Sequence, residues 1–322
     1  DADTHEIWGK LDSHEFRKLN TDVHKYLAEL TENCRKLREV LKFDETHEPV
    51  KATQNILRNL GCFDLCMKFV RLIDSIDPEN PFAECHVNTR NLSLAANRLL
   101  YWFVLDNAPN QALAYEQLTY FIKSVDSKIE SHKVISAIFR NNITLMESVP
   151  KKYISEFMEM ICNVGRFPQY LTLMSSIICV GEKNVIENQY EVIKLVSSPE
   201  NIKKIVQYFL PIWHPAYAKK VAFMAPFMQV KDVAVDDLPS DLAYHLDLMG
   251  LLSSCTVGRS GMTTIEAKVQ SMFNFVDIVD AMLDSNSILL AKIRLGQFLF
   301  NAMLDVETLL PAVKDADIMW KL

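Results

Sequence analysis

Ile138 to Ile193 reads IFRNNITLMESVPKKYISEFMEMICNVGRFPQYLTLMSSIICVGEKNVIENQYEVI, and this passage decides the fold. Apolar residues recur there at steps of three and four, between breaks that end a helix. After Pro150 come Tyr153, Ile154, Phe157, Met158 and Ile161, stopped at Gly165; then Tyr170, Leu171, Met174, Ile177 and Ile178, stopped at Gly181. Spacing of this kind puts the apolar side chains on one helical face, and a glycine just past the last of them is the expected C-terminal stop. Successive short amphipathic helices are the building material of a helical solenoid.

The same pattern extends upstream. Phe16, Leu19, Val23, Leu27, Leu30, Cys34, Leu37 and Leu41 share one face of a helix or helical hairpin from Asp12 to Val40. Residues 43–50 form a polar break ending in Pro49. Ile56, Leu57, Leu60, Leu65, Met67, Phe69, Val70, Leu72 and Ile73 then predict two helices interrupted at Gly61. Asp77-Pro78-Glu79-Asn80-Pro81 is a loop, since its two prolines cannot both lie inside a helix. Leu92–Leu105 is a helix closed by Asn107-Ala108-Pro109-Asn110, Gln111–Val125 is another, and Ile135, Ile138 and Phe139 mark a third.

Downstream, Val185–Val196 is helical, and Ser198 and Pro199 suit the N-cap and first position of the next helix. Leu210–Asp237 changes character: Pro211, Pro215 and Pro226 interleave with Trp213, Phe223 and Phe227, which reads as an irregular connection or a join between two pieces. Helical spacing resumes at Ser240 and stops at Gly258, followed by Thr264–Met272, Phe275–Leu283 and Ser287–Leu304. Roughly a dozen helices of similar length and no strand beyond a few residues predict an all-α, armadillo-like helical solenoid of short helix pairs, without a legible fixed repeat. The expected division is 1–50, an N-terminal helical segment; 51–210, a helical domain; 211–239, the irregular connection; and 240–322, a further solenoid segment.

Composition agrees. Of 322 residues, 49% are hydrophobic and 23% charged, enough for a sizeable core, and only 8 are glycine. A net charge of -7 provides no positive field for phosphate backbones, so nucleic acid is excluded as a partner class. No run reaches the roughly 18 to 20 apolar residues that span a bilayer, and no signal-peptide pattern opens the chain, so no direct membrane contact is expected. The cysteines (Cys34, Cys62, Cys66, Cys85, Cys162, Cys179 and Cys255) lack the spacing of a disulfide framework and suit a reducing compartment. The chain starts at Asp1 without methionine and ends at Leu322 inside a helical pattern, as a piece of a longer protein does.

Signatures of chemistry are missing. His5, His14, His24, His47, His86, His132, His214 and His245 are scattered and form no zinc spacing. There is no phosphate-binding loop, dinucleotide fingerprint, nucleophile elbow or calcium loop, so no catalytic residue and no cofactor or cofactor-binding residue is assigned. Cys62 and Cys66 read either as half a ligand set or, more simply, as core thiols. Acidic residues gather over Asp232–Asp241 and Glu29–Glu48. Carboxylates are natural calcium ligands and equally a solvated face, so the metal question stays open. Arg140, Asn141 and Asn142 read as cap and loop residues, and Arg166 as a bond to the carbonyls ending the helix before it. Trp213 and Trp320 lie beside a break and a chain end, where interface exposure and burial are both expected.

Several ordered motifs resemble those of inositol trisphosphate receptors. Asn110-Gln111-Ala112-Leu113 with Leu118 and Phe121 is similar to the family's N-Q-A-L helix, and Ile138-Phe139-Arg140-Asn141-Asn142 through Leu145 to its I-F-x-N-N-x-x-L element. Gly165-Arg166 with Tyr170-Leu171 resembles its G-R-x-x-x-Y-L turn, and Asn188-Gln189 falls where a further Gln is expected. These lie in the RIH domain, which ryanodine receptors share. Tyr244-His245-Leu246, Leu251-Leu252 and Cys255-Thr256 with Gly258, then Phe298-Leu299 with Asp305-Val306-Glu307, and Met319-Trp320-Lys321-Leu322, resemble the segment that follows. The resemblance implies a regulatory, non-enzymatic portion of a homotetrameric calcium-release channel on the cytosolic face of the endoplasmic reticulum or an equivalent store. Its partners would be other domains of the same channel and neighbouring subunits. Two alternatives stand beside it: a freestanding armadillo-type protein-binding scaffold, and the equivalent region of a ryanodine receptor-like channel. A third, an enzyme built on Cys62 or Cys66 with a histidine, requires a thiol of depressed pKa in a pocket.

Overall fold

The computed structural model describes residues 14–40, 48–76, 79, 86–180, 183–206, 212–230, 233–258 and 263–306. Seventeen α-helices lie among them, with a single two-stranded ladder, Cys179–Val180 paired to Lys183–Asn184, so the fold is all-α. Contacts gather into two compact units, Asp1–Asn142 and Ile143–Leu322.

The first unit holds α1 (His14–Val40), α2 (Glu48–Asn59), α3 (Cys62–Val70), α4 (Val87–Val104), α5 (Ala108–Tyr115), α6 (Leu118–Lys123) and α7 (Ser131–Phe139). Its centre is α4, against which α1, α3 and α7 pack. That position explains the α4 sequence: Leu92, Ala95, Ala96, Leu99, Leu100, Phe103 and Val104 recur at helical spacing and are all buried, a broad apolar face turned to its neighbours, while Asn88, Asn91 and Arg98 on the other side are exposed. Residues 14–40 form one helix, not a hairpin. Leu27 is buried, whereas Leu30 on its expected apolar face is exposed. The interruption at Gly61 is present, with φ 73 between α2 and α3. Ile56, Leu60 and Leu65 nevertheless face solvent.

The second unit holds α8 (Ile143–Glu147), α9 (Lys151–Asn163), α10 (Gln169–Ser176), α11 (Ile186–Val196), α12 (Ile202–Ile205), α13 (Tyr217–Met224), α14 (Ser240–Cys255), α15 (Thr263–Gln270), α16 (Phe275–Leu283) and α17 (Leu289–Leu299). All five apolar residues predicted for the face of α9 are buried. At the centre lies α14, which packs on α10, α11 and α17 and buries Leu242, Ala243, Tyr244, Leu246, Leu248, Met249, Leu251 and Leu252. Unlike α4, this helix is buried nearly all round, and helices on several sides remove any need for a polar face.

Within the supposed irregular connection, α13 forms between prolines, and Met224 joins Leu238, Leu242, Ala243, Leu246, Ile288 and Ala291 in one core cluster with Phe223 and Phe227 packed against it. Local proline content hid a helix that is held by distant contacts. Ser198 Oγ accepts a bond from the Asn201 N–H at 3.3 Å, but the helix itself begins only at Ile202. The predicted loop at 77–81 (apart from Glu79), Gly181, Cys85, Glu307 and the Met319–Leu322 motif lie outside the described residues.

Candidate functional site

A helix end leaves backbone carbonyls without helical partners, and where that end is buried some other group must meet them. Here side-chain amides do so, in a pattern that repeats. After Val104 the chain runs through extended Leu105 (ψ 117), turns at Asp106 with φ 58, and restarts as α5 with Asn107 as its N-cap. After Phe139 it runs through extended Arg140 (ψ 124), turns at Asn141 with φ 56, and continues to Asn142 and α8. Asp and Asn tolerate the left-handed conformation better than other non-glycine residues, which is why they occupy both turns.

A buried glutamine clasps each turn. Gln54 Nε2 donates to the Trp102 carbonyl at 2.7 Å and the Leu105 carbonyl at 2.9 Å, while its Oε1 accepts from Asn107 Nδ2 at 3.1 Å. Gln111 Nε2 donates to the Ala137 carbonyl at 3.0 Å and the Arg140 carbonyl at 2.7 Å, while its Oε1 accepts from Asn142 Nδ2 at 2.9 Å. The two clasps match bond for bond. A third appears in the second unit, where Gln189 Nε2 donates to Ser254 and Val257 carbonyls at 2.9 and 3.2 Å, ahead of Gly258 at φ 107. Arg259, which follows that glycine where Asn107 and Asn142 follow their own turns, lies outside the described residues. A primary amide suits such a turn because its nitrogen offers two N–H groups and its oxygen accepts, all without a charge to desolvate.

Further amides extend the scheme. Asn97 Nδ2 donates to the Ile129 carbonyl at 2.8 Å, Asn188 Nδ2 to the Met146 and Ile177 carbonyls at 2.9 Å each, and Gln270 Nε2 to the Ala302 carbonyl at 3.0 Å. Asn110 bridges locally: its Nδ2 donates to the Phe103 carbonyl at 2.8 Å and its Oδ1 accepts from Arg58 Nη1 at 2.9 Å.

Charge overlays the first-unit turns. Asp106, mostly buried, pairs with Arg38 from the end of α1, accepts from Asn141 Nδ2 at 2.7 Å and lies 3.6 Å from Arg140 Nε. One carboxylate thus ties together α1 and both left-handed turns. Arg166 bonds the Lys204 and Lys203 carbonyls at 2.5 and 3.0 Å. The helix end it satisfies is therefore that of α12, not of its own predecessor α9; the side chain is long enough to reach a neighbour, and adjacency in sequence does not reveal which. In the second unit, Lys220 Nζ donates to Asp284 Oδ2 at 2.6 Å, with side-chain exposures of 2% and 3%. Burial alone pushes the Asp284 carboxyl up, but hydrogen bonds from Lys220, the Asn286 backbone and Tyr217 hold it below the ordinary carboxylate range.

The other sequence candidates fall as follows. Among the described residues no group of three or more His, Cys, Asp or Glu side chains can hold a metal ion. Parts of both acidic runs are spent on ion pairs, Glu32 and Glu39 with Arg35 and Asp241 with Lys219. Trp213 is 70% exposed, and Trp320 lies outside the described residues. Cys66 is buried and Cys62 half-buried, with their sulfurs 3.9 Å apart. A cleft of about 150 Å³ between α1 and α4 is lined by Thr21, His24, Asn88 and Asn91. No described helix is long and apolar enough to cross a membrane. Gln54 and Asn107 were not legible as partners. The available signal was the shared pattern of Leu105-Asp106-Asn107 and Arg140-Asn141-Asn142 after apolar helices.

A family model described as RYDR_ITPR, RIH domain, matches residues 18–202. Among curated proteins, the inositol 1,4,5-trisphosphate receptor itr-1 of Caenorhabditis elegans is 24% identical over 242 residues, covering 73% of this chain and 8% of the relative. This chain therefore spans less than a tenth of that relative's length. Because the family match runs from α1 to the start of α12, more than half the chain, and takes in Gln54, Gln111, Asn142 and Gln189, the chain belongs to the RIH-domain family.

Proposed function

We propose that this chain is a coupling segment of an inositol trisphosphate receptor-type calcium-release channel, passing ligand-induced motion towards the pore, without catalysis of its own. The observation that carries the reading is the repeated amide clasp. Each glutamine locks a helix turn to a helix distant in sequence, so helices within a unit move together instead of flexing at their turns. Coupling between distant sites needs such an element, with two arrangements that both sites bias. The family match and the itr-1 relative support the channel setting; the ryanodine receptor-type channel is the nearest variant of the same reading. In that setting the parent protein is a homotetramer of the endoplasmic reticulum or an equivalent store, with this segment on the cytosolic face beside other domains and neighbouring subunits.

The test uses the full-length receptor. Phe157 is fully buried at the centre of the α9 face, so Phe157→Asp removes the core that makes the second unit rigid. Messenger binding should persist while channel opening is lost; normal opening with that substitution overturns the proposal. A second reading, a protein-binding scaffold, is favoured by the adjacent exposed side chains Ile212 and Trp213. For it, Trp213→Ala should abolish capture of a partner while leaving channel gating intact.

A further inference from the structure

Cys62 is the first residue of α3 and Cys66 lies one turn on, which places both sulfurs on one side of the helix. They stand 3.9 Å apart, within reach of a hydrogen bond from one thiol to the other. Cys66 is 1% exposed, whereas Cys62 is half-buried and reachable from solvent. Donation from Cys66 favours the thiolate of Cys62 and holds that thiol below its ordinary range; the same bond, with burial, pushes Cys66 up. Cys34 on α1 is near enough for Cys62 to raise its own thiol, although burial is the larger cause. One accessible thiol inclined to ionise beside a buried protonated one is an arrangement for two-step oxidation.

We infer that Cys62 and Cys66 form a redox-active dithiol whose substrate class is hydroperoxides, with Cys62 as the attacking sulfur and Cys66 as the resolving one. In the first step the Cys62 thiolate attacks one peroxide oxygen and the O–O bond breaks. The remaining oxygen leaves as water or an alcohol after taking up a proton, and Cys62 becomes a sulfenic acid. In the second step the Cys66 sulfur attacks the Cys62 sulfur, the S–O bond breaks, and hydroxide leaves as water with the Cys66 proton. Two thiols lose two electrons and one hydroperoxide gains them.

The helix must yield for the bond to close. A disulfide needs sulfurs about 2.05 Å apart and Cβ atoms about 3.5–4.5 Å apart. Residues one turn apart on an intact helix hold their Cβ atoms at roughly 5–6 Å. The first turn of α3 can supply that movement: Gly61 precedes it in the left-handed region, no side chain caps it, and the space beside Gly61 is open for 4 Å. Phe63 sits inside that turn, buried and stacked on Phe103 of α4 with ring centroids 6.1 Å apart. Closing the disulfide therefore pulls at the contact between α3 and the central helix of the first unit, and the strain makes the bond easy to reduce.

The experiment exposes the whole chain to stoichiometric hydrogen peroxide, followed by alkylation and peptide mass analysis. The peptide containing Cys62 and Cys66 should lose two hydrogens and resist alkylation, and dithiothreitol should reverse both effects. In Cys66→Ser, a sulfenic acid should accumulate at Cys62 and be trapped by dimedone. An unchanged mass for the wild-type peptide overturns the inference, as does a peroxide-induced bond from Cys62 to Cys34 in its place. Cys62→Ser should abolish both products; persistence of either would overturn the assigned order. The wild-type reading does not depend on either variant folding.

Discussion

The turn after α4 and the seat of α13 solve one problem with opposite chemistry. In each, a local segment has to be fixed to elements far away in sequence. At the turn the fastening is a neutral amide, Gln54 against the Trp102 and Leu105 carbonyls. At α13 it is a buried ion pair, Lys220 with Asp284, supported by Tyr217 Oη donating to Asp284 Oδ1 at 3.3 Å and by Asn286. The amide needs no charge desolvated and its own bonds do not titrate, even though Asp106 adds an ion pair with Arg38 at the same turn. The ion pair loses solvation on both partners and recovers it only while both stay charged and bonded. The clasps thus form a constant framework, and α13 is the element whose attachment conditions can change.

The largest effect follows from breaking the pair. Lys220→Ala leaves a buried carboxylate without its counter-charge and should destabilise the second unit by about 3–5 kcal/mol in urea unfolding. Replacing both partners together, Lys220→Met with Asp284→Leu, should recover most of that loss. A double variant as unstable as the single one would mean that the pair is not the fastening. Next comes Gln111→Ala, which takes away the donor to two carbonyls at the end of α7 and should cost about 2–3 kcal/mol in the first unit. A loss of similar size is expected for Gln54→Ala, and unequal losses would separate two clasps that look alike.

Gly258→Ala forces a side chain into the left-handed region, with its Cβ 2.8 Å from Asn184 Nδ2, and should cost about 1–3 kcal/mol. Stability against pH gives a smaller but cleaner contrast. The folded Asp284 carboxyl lies below its ordinary value of 3.8, so its contribution is present above that value and disappears as pH falls through the lower folded one. Acid should therefore weaken the second unit through this site. Lys220→Met with Asp284→Leu should flatten that part of the profile, and an unchanged profile would show that another carboxyl is responsible.

Much of the fold could be read from spacing alone. Pro150 and Gly165 bracket a helix because one suits a helix start and the other a stop, and Tyr153, Ile154, Phe157, Met158 and Ile161 are buried as their period requires. Leu30, Ile56, Leu60 and Leu65 show the limit of that reasoning: periodic apolar residues mark a face without saying whether another element covers it. The prolines around α13 pointed locally to irregular chain, while Phe223, Met224 and Phe227 were responding to a core that α14 and α17 complete. The clasps were half visible. Asn110-Gln111, Asn141-Asn142 and Asn188-Gln189 stood out as motif pairs. Their partners did not, because a side chain bonding a carbonyl dozens of residues away leaves no periodic trace in either segment.

The clasps also give the coupling proposal its sharpest test. In the full-length receptor, messenger binding and calcium release are measured in parallel for Gln111→Ala and Gln189→Ala, with Arg35→Ala, which removes only exposed ion pairs, as control. If the clasps carry motion, both glutamine variants bind the messenger as the parent does but release calcium only at higher messenger concentration, while the control matches the parent in both. Calcium release by the glutamine variants that tracks binding as closely as in the parent would contradict a coupling role for this segment.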